Sequence, residues 1–340
     1  MDPLSQGVLG GLAAKSFSHK KECVAAGAIG FAAALLPDLD VFIRSSRDSL
    51  LFLDYHRQFT HSIVFMPIGA LVATLVVWSV FKKRFASFWR MYLFALIGYA
   101  THAPLDACTS YGTQLFWPFS NERVAWNSVA IVDPLFTLPC LVILIIAMRR
   151  KSLVIARMGF LWSLLYLSFG FVQRDRAERA LKEYATSQGH TPFRLTAKPS
   201  IFNNVLFRGI YEHESRYWVN AVRVNWWSEI KIYSGTSVPR LDIEKTIQDL
   251  KSKGQSQAAI DVGRFAHFSD QWLYSVSNNS DQEAIAFGDF RYSMLPTRDD
   301  PLWFISIPSR LSANEHVEYI MAQKVDSQLR NEYLKMLWGR

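Results

Sequence analysis

Residues 23–43 read CVAAGAIGFAAALLPDLDVFI. A helix rises 1.5 Å per residue, so a run of about 20 apolar residues crosses a hydrocarbon layer about 30 Å thick. This run is long enough to span, yet it carries Asp38 and Asp40 close to its end. Four more apolar runs follow, at 62–81, 89–108, 129–148 and 153–172, and residues 3–17 form a shorter one. The pattern predicts five spans plus a short amino-terminal helix dipping into the membrane. Half of the 340 residues are apolar and 19% are charged, which excludes a disordered chain. Residues 1–172 hold 15 Lys+Arg and 9 Asp+Glu, whereas 173–340 hold 22 and 20. The sparse first half reads as a polytopic all-α membrane domain, 1–172, and the ordinary second half as a water-soluble domain, 173–340.

The formal charge of +8 would ordinarily raise the question of nucleic acid. Here the surplus lies in short clusters between apolar runs: Lys15, Lys20 and Lys21, then Lys82, Lys83 and Arg84, then Arg149, Arg150 and Lys151. Basic short loops stay in the cytoplasm. All three clusters fall on one side if five spans alternate. The expectation is therefore a bacterial inner-membrane protein, in contact with the lipid bilayer and with no nucleic-acid partner. Residues 44–61, 109–128 and everything after 172 would lie outside the cytoplasm. Cys23, Cys108 and Cys140 form no Cys-x-x-Cys pair, which argues against a disulfide scaffold or a cysteine zinc site. The start, MDPLSQGVLGG, has no basic region ahead of its apolar stretch and does not read as a cleaved signal peptide.

On this topology the ionisable residues of the spans collect at the outer face. Asp38 and Asp40 end the first span, His56 and His61 lie just before and at the start of the second, His102 and Asp106 end the third, and Asp133 opens the fourth. Charged groups inside a membrane are costly and point to function. His102 and Asp106, four residues apart, share a helix face, although Pro104 between them can loosen that turn. Imidazole nitrogen and carboxylate oxygen suit zinc first, with manganese or iron as alternatives. A lone histidine in a span is more often helix–helix glue; three His/Asp elements converging on one layer favour a metal or proton-handling site. Arg57 can hold a substrate anion or merely neutralise Asp54 or Asp38. Thr60 and Thr109 can orient ligands or cap helices, and Asp133 before Pro134 reads as a helix cap. Gly112 fits a tight turn, and Trp117 and Trp126 fit interfacial anchors.

The segments MDPLSQGVLGG, LPDLD at 36–40, HRQFTHS at 56–62 and HAPLDACTSYG at 102–112 resemble the YdjM-like family of membrane-bound metal-dependent hydrolases. The resemblance covers about residues 1–150. It implies a multi-span inner-membrane hydrolase, with Asp38, His61, His102 and Asp106 as metal ligands and Asp40 and His56 as further candidates. Many members have a histidine where this chain has Gln6, a poor zinc ligand. The His-x3-Asp element is also similar to that of zinc-dependent phospholipase C and related single-strand nucleases. That makes a phospholipid headgroup or another phosphoester the first substrate expectation.

After Val172 the pattern changes. Residues 173–188 read as a polar helix leaving the membrane. Alternating runs at 204–211, 216–224, 229–233, 272–276, 283–292 and 302–307 read as strands, and 243–253, 258–266 and 325–338 as helices. This predicts an α+β domain with an antiparallel sheet. Trp218, Trp226, Trp227 and Tyr233 read as sheet core, and His213, between Glu212 and Glu214, as an exposed strand end.

Taken together, the sequence points to a membrane metallohydrolase working at the outer face. Metal-bound hydroxide would attack a lipid-linked ester or phosphoester, Asp40 or His56 would move protons, and Arg57 would hold an anionic group. Two rivals stand beside it. One is a metal or ion transporter, for which a cytoplasmic-side counterpart site is missing. The other is a non-enzymatic scaffold that binds a partner through the second domain.

Overall fold

Helix α1 (Pro3–Ser16) starts on Asp2, whose side chain accepts the Ser5 backbone N–H at 3.0 Å, and has proline in its first turn. Its side chains from Ser5 to Ser16 are all buried, so it is a core helix with no outward face. It packs on α2 (Cys23–Ala34) and α5 (Phe88–Ala107). Gly10, Gly30 and Gly98 make this approach possible: a Cβ at Gly98 would land on the Gly30 carbonyl, and one at Gly30 on the Gly10 carbonyl. The structure is a computed structural model and describes residues 1–81, 87–225, 229–276, 284–321 and 327–340.

Pro37 cannot continue α2, and the chain enters a 3-10 turn, Pro37–Phe42, that carries Asp38 and Asp40. A short helix α3 (Leu51–Tyr55) and two single turns, Phe59–His61 and Ile63–Phe65, lead into α4 (Met66–Phe81). Then come α5, α6 (Pro134–Arg149) and the long α7 (Leu153–Ser187). Asp133 caps α6 by accepting the N–H groups of Leu135 and Phe136, and it also accepts the Tyr166 hydroxyl at 2.8 Å.

The expectation of five spans is corrected. Among the described residues two stretches are long and apolar enough to cross a membrane, Cys23–Phe42 and Leu153–Ser187. A third counts only if Leu51–His61 and Ile63–Ser79, bent by 58°, act as one. The run at 129–148 overshoots its helix, because residues up to the Asp133 cap are not helical and α6 has 16 residues. The run at 89–108 is a helix of 20 residues, but it carries Arg90, His102 and Asp106 and buries half of its side chains. Protein as well as lipid covers apolar surface, and composition alone does not separate the two. Exposed stripes at helical spacing persist on α4 (Ile68, Leu71, Val72, Leu75), α6 (Leu135, Leu138, Val142, Ile145) and α7 (Val154, Met158, Leu161, Leu165). The cluster at Lys82, Lys83 and Arg84 lies outside the described residues.

The chain divides into two compact units: residues 1–42, 55–172 and 201–204 form the first, and 43–54, 173–200 and 205–340 the second. The second unit holds two four-stranded antiparallel meanders where one sheet was expected. One runs β1 (Arg194–Pro199), β2 (Leu206–His213), β3 (Arg216–Arg223), β4 (Lys231–Pro239). The other runs β5 (Leu273–Val276), β6 (Ile285–Asp289), β7 (Trp303–Ile307), β8 (Glu318–Met321). The β2–β3 hairpin closes on Glu214 and Ser215, both at positive φ (48° and 60°), as a two-residue turn between right-twisted strands requires. Helices α8 (Ile243–Ser252), α9 (Ser256–Phe268) and α10 (Ser327–Trp338) complete the unit. Trp226, Trp227, Glu283 and the expected start of the last helix at Val325 lie outside the described residues.

Candidate metal centre

Three elements of the first unit meet at one point. The 3-10 turn after α2 brings Asp38, the turn before α4 brings His61, and the last turn of α5 brings His102 and Asp106. One ligand atom from each of the four side chains lies within 4.8 Å of every other, an arrangement that can hold a metal ion. His61 Nε2 and His102 Nε2 face each other at 2.9 Å. Asp106 Oδ2 lies 3.1 and 3.4 Å from these nitrogens, and Asp38 Oδ1 lies 3.6 and 3.4 Å from them. His61, His102 and Asp106 are fully buried; the Asp38 side chain is 22% exposed.

The outer nitrogens of both rings are committed as donors. His102 Nδ1 lies 2.6 Å from the Ala34 carbonyl, which can only accept. Thr60 gives its one hydroxyl proton to Asp40 Oδ2 at 2.6 Å, so His61 Nδ1, 2.9 Å from Thr60 Oγ1 and 3.2 Å from Asp40, must donate. In neutral rings this leaves two bare Nε2 lone pairs pointing at each other and at two carboxylates. No hydrogen bond satisfies such a set, and Asp106 Oδ2 has no hydrogen-bond partner among the described residues. A metal ion, or a proton shared on one Nε2, would supply what the neutral set lacks. Bonds of about 2.0–2.2 Å to a tetrahedral ion put neighbouring ligand atoms about 3.3–3.6 Å apart, which fits most of these separations.

Around this core the other predicted residues take distinct places. Asp40 is buried and accepts from His56 Nδ1 (2.7 Å), the Arg57 backbone N–H (3.0 Å) and Thr60. His61 Nδ1 lies 3.2 Å from the same carboxylate. The His56 side chain is 17% exposed, and its ring meets Tyr111 edge-on at 5.6 Å. Arg57 lies on the floor: Nε is 3.2 Å from Asp106 Oδ2, Nη1 donates to Thr109 Oγ1 at 3.0 Å, and the guanidinium stacks on Tyr111 at 4.7 Å. Its φ of 64° is left-handed, a costly setting away from glycine that persists where neighbours hold it. Here Asp40 holds its N–H, and its carbonyl accepts the Gln114 N–H at 2.9 Å.

Gln6 Nε2 donates to Asp106 Oδ1 at 2.8 Å, so Gln6 supports the cluster as a donor, and the Met1 amino group donates to the same oxygen. Tyr99, whose hydroxyl donates to the Thr60 carbonyl at 2.7 Å, and Tyr111 were not singled out by spacing, because neither is an unusual residue in an apolar run. Gly112 is at φ 94°, as its turn requires. Asp133 stays apart from the cluster as the α6 cap. His213 stacks on His190 at 4.5 Å and lies 3.8 Å from Glu214.

A helical unit with membrane-length apolar helices, closing over a buried His/Asp cluster, defines a membrane protein with a candidate metal centre. The chain belongs to the YdjM inner membrane protein family, whose profile matches residues 1–177. It is 32% identical over 106 residues to the Inner membrane protein YbcI of Escherichia coli (strain K12), covering 30% of this chain and 60% of that relative. It is 28% identical over 98 residues to the Uncharacterized protein YfhP of Bacillus subtilis (strain 168), covering 29% of each chain. The chain thus spans less than two thirds of either curated relative. No solved structure matches it.

Proposed function

We propose that this protein is a membrane-bound, metal-dependent hydrolase whose site opens at the outer face of the inner membrane, with a lipid-linked ester or phosphoester as substrate. The observation that carries the proposal is the pair of facing Nε2 atoms at 2.9 Å, flanked by Asp38 and Asp106. Asp38, His61, His102 and Asp106 would hold the ion, with zinc the first choice for two nitrogens and two oxygens. A divalent ion there supplies Lewis-acid polarisation and a lowered water pKa.

The rest is the work of this chain's own groups. Asp40 and the Ala34 carbonyl fix the two rings by their Nδ1 sides, as outer partners of ligating histidines do. His56 donates through Nδ1 to Asp40, which leaves Nε2 as the base, so the proton-handling role falls to His56 and Asp40 supports it. Arg57 carries the positive charge suited to a phosphate or carboxylate. The outer-face placement, with the second unit outside the cytoplasm, takes the bent pair Leu51–His61 and Ile63–Ser79 as a third span, which puts the basic clusters at Lys20–Lys21 and Arg149–Lys151 on one side; two spans would put them on opposite sides. A topology reporter fused after Arg340 should be active outside the cytoplasm.

The test of function is metal content by mass spectrometry of detergent-purified protein, followed by hydrolysis of bis-(p-nitrophenyl) phosphate and a fluorogenic phospholipid. Near-stoichiometric metal in the wild type, lost in folded His102→Ala/Asp106→Ala together with any hydrolysis, is the expected result. No metal after reconstitution, or hydrolysis unchanged in the double variant, would overturn the proposal.

A further inference from the structure

Five helix ends of the first unit meet away from the metal cluster. Residues 17–22 join the end of α1 to the start of α2. The start of α5 is tied to them by Arg90 Nη2, 2.6 Å from Glu22 Oε2. The end of α6 brings Met148, whose Sδ is the first atom a Cβ at Gly27 would meet. The start of α7 brings Arg157, whose Nε donates to the Ser16 carbonyl at 3.1 Å, and Phe160, whose ring meets Phe17 edge-on at 6.1 Å. Twelve positions of α5 separate Arg90 from His102, about 18 Å along its axis. The cluster of Asp38, His61, His102 and Asp106 thus lies at the other end of these helices.

The charge gathered at this end is one-sided. Residues 15–25, 87–92 and 147–158 hold eight Lys or Arg and a single acid, Glu22, which Arg90 already takes. Lys20, Lys21, Arg149, Arg150 and Lys151 are all exposed. Lys15, in the last turn of α1, is fully buried, and its Nζ has no hydrogen-bond partner among the described residues. A charge buried without a partner is costly, and its field adds to that of the exposed cations. Next to these cations the exposed side chains are apolar: Trp89 is 73% exposed, and Val142 and Ile146 of α6 and Val154 and Met158 of α7 face outward as well. Basic side chains beside an apolar band, with an indole at the boundary, match the level of lipid headgroups. A nucleic acid would meet the same charge but has no use for the apolar band.

We propose that this end of the helical unit is a binding surface for the phosphate headgroups of anionic phospholipids, with Lys20, Lys21, Arg149, Arg150 and Lys151 as its contacts. It is separate from the candidate metal centre and independent of any hydrolase activity. Headgroups held there fix the depth and tilt at which the helices sit.

The experiment reconstitutes the full chain in phosphatidylcholine vesicles and compares the association of spin-labelled phosphatidylglycerol with that of spin-labelled phosphatidylcholine. The wild type should prefer phosphatidylglycerol at least about fivefold, the factor that one Lys or Arg contributes near an anionic surface. Lys20→Gln/Lys21→Gln and Arg149→Gln/Arg150→Gln/Lys151→Gln should each lower that preference, and the two sets combined should abolish it. Lys251→Gln/Lys253→Gln, at exposed lysines of the second unit, should match the wild type. If the combined variant fails to insert, the salt response of the wild type decides. Raising salt from about 0.1 M to about 1 M shortens the screening length from about 10 Å to about 3 Å and should erase the preference. A preference that persists at the higher salt, or that the substitutions leave intact, overturns the proposal. Equal association of the two lipids with the wild type overturns it as well and leaves the cations as topology signals. So does displacement of the lipid by excess glycerol phosphate, or capture of duplex DNA in its place.

Discussion

Asp289 in the second unit and Asp106 in the first are both fully buried carboxylates, and they are served in opposite ways. Asp289 accepts the Arg291 guanidinium at 2.8–3.2 Å, the Arg291 backbone N–H at 3.0 Å and Trp303 Nε1 at 3.0 Å. Every lone pair has a donor, and the pair is complete as it stands. Asp106 has donors on Oδ1, while Oδ2 has only the Arg57 Nε at 3.2 Å, without a well-aligned hydrogen bond, and faces two imidazole edges whose Nδ1 protons point elsewhere. The contrast separates a structural charge from a candidate site. Burial and carboxylate chemistry are common to both, and only the count of donors against acceptors tells them apart.

The contrast can be broken at either end. The largest effect should come from Asp289→Ala, which strands Arg291 at 3% exposure; breaking a buried pair costs about 3–5 kcal/mol. Thermal unfolding of the second unit should drop by more than ten degrees, read by hydrogen exchange in β5–β7. At the other end, the helical unit should gain stability from metal. Zinc at about a thousand times its dissociation constant adds about 4 kcal/mol, chelation should remove it, and His102→Ala should be indifferent to both. Equal responses in wild type and variant would erase the distinction drawn here.

A smaller effect concerns Lys198 of β1, buried in the second unit. Burial first, and then Arg291, push its ammonium down to about 7 from 10.5. The unfolded chain therefore holds a proton that the folded one releases between those values. Stability of the second unit should rise with pH across 7 to 10.5, by up to about 1.4 kcal/mol per pH unit. Lys198→Met should remove that slope and raise the melting point at pH 7. The smallest effect is at Asp48. Burial opposes its charge, but Arg264 and the Leu50 N–H outweigh it and hold the carboxyl below its ordinary range. Its contribution is present above the ordinary carboxylate pKa and lost as pH falls through the lowered one. At a partly exposed site it should not exceed about 1 kcal/mol, and Asp48→Asn should abolish it.

The same donor count explains what was legible in the sequence. Asp38, His61, His102 and Asp106 stood out because an ionisable residue in an apolar run is conspicuous, and the structure gathers those four. Their supports did not stand out, since Gln6, Tyr99 and the Ala34 carbonyl are ordinary groups whose role depends on where helices cross. Span counting failed for a related reason. The apolar character of α1 and α5 answers to protein packed around Gly10, Gly30 and Gly98, and a hydropathy run does not record what covers it. In the second unit β3 and β6 were readable from alternation, and β2, β4, β5 and β7 from runs of branched and aromatic residues. β1, broken by a lysine and a proline, and the four-residue β8, too short to show a period, were not. The allegiance of residues 43–54 depends on Arg264, more than 200 positions away, and no local pattern encodes it.

The most direct test of the central claim is X-ray absorption spectroscopy at the zinc edge of the loaded, full-length protein. The account predicts a shell of about four nitrogen and oxygen neighbours at about 2.0–2.2 Å, with the outer scattering of two imidazoles and no sulfur. That scattering should halve in His102→Ala. A sulfur shell, or oxygen ligands without imidazole, would contradict it.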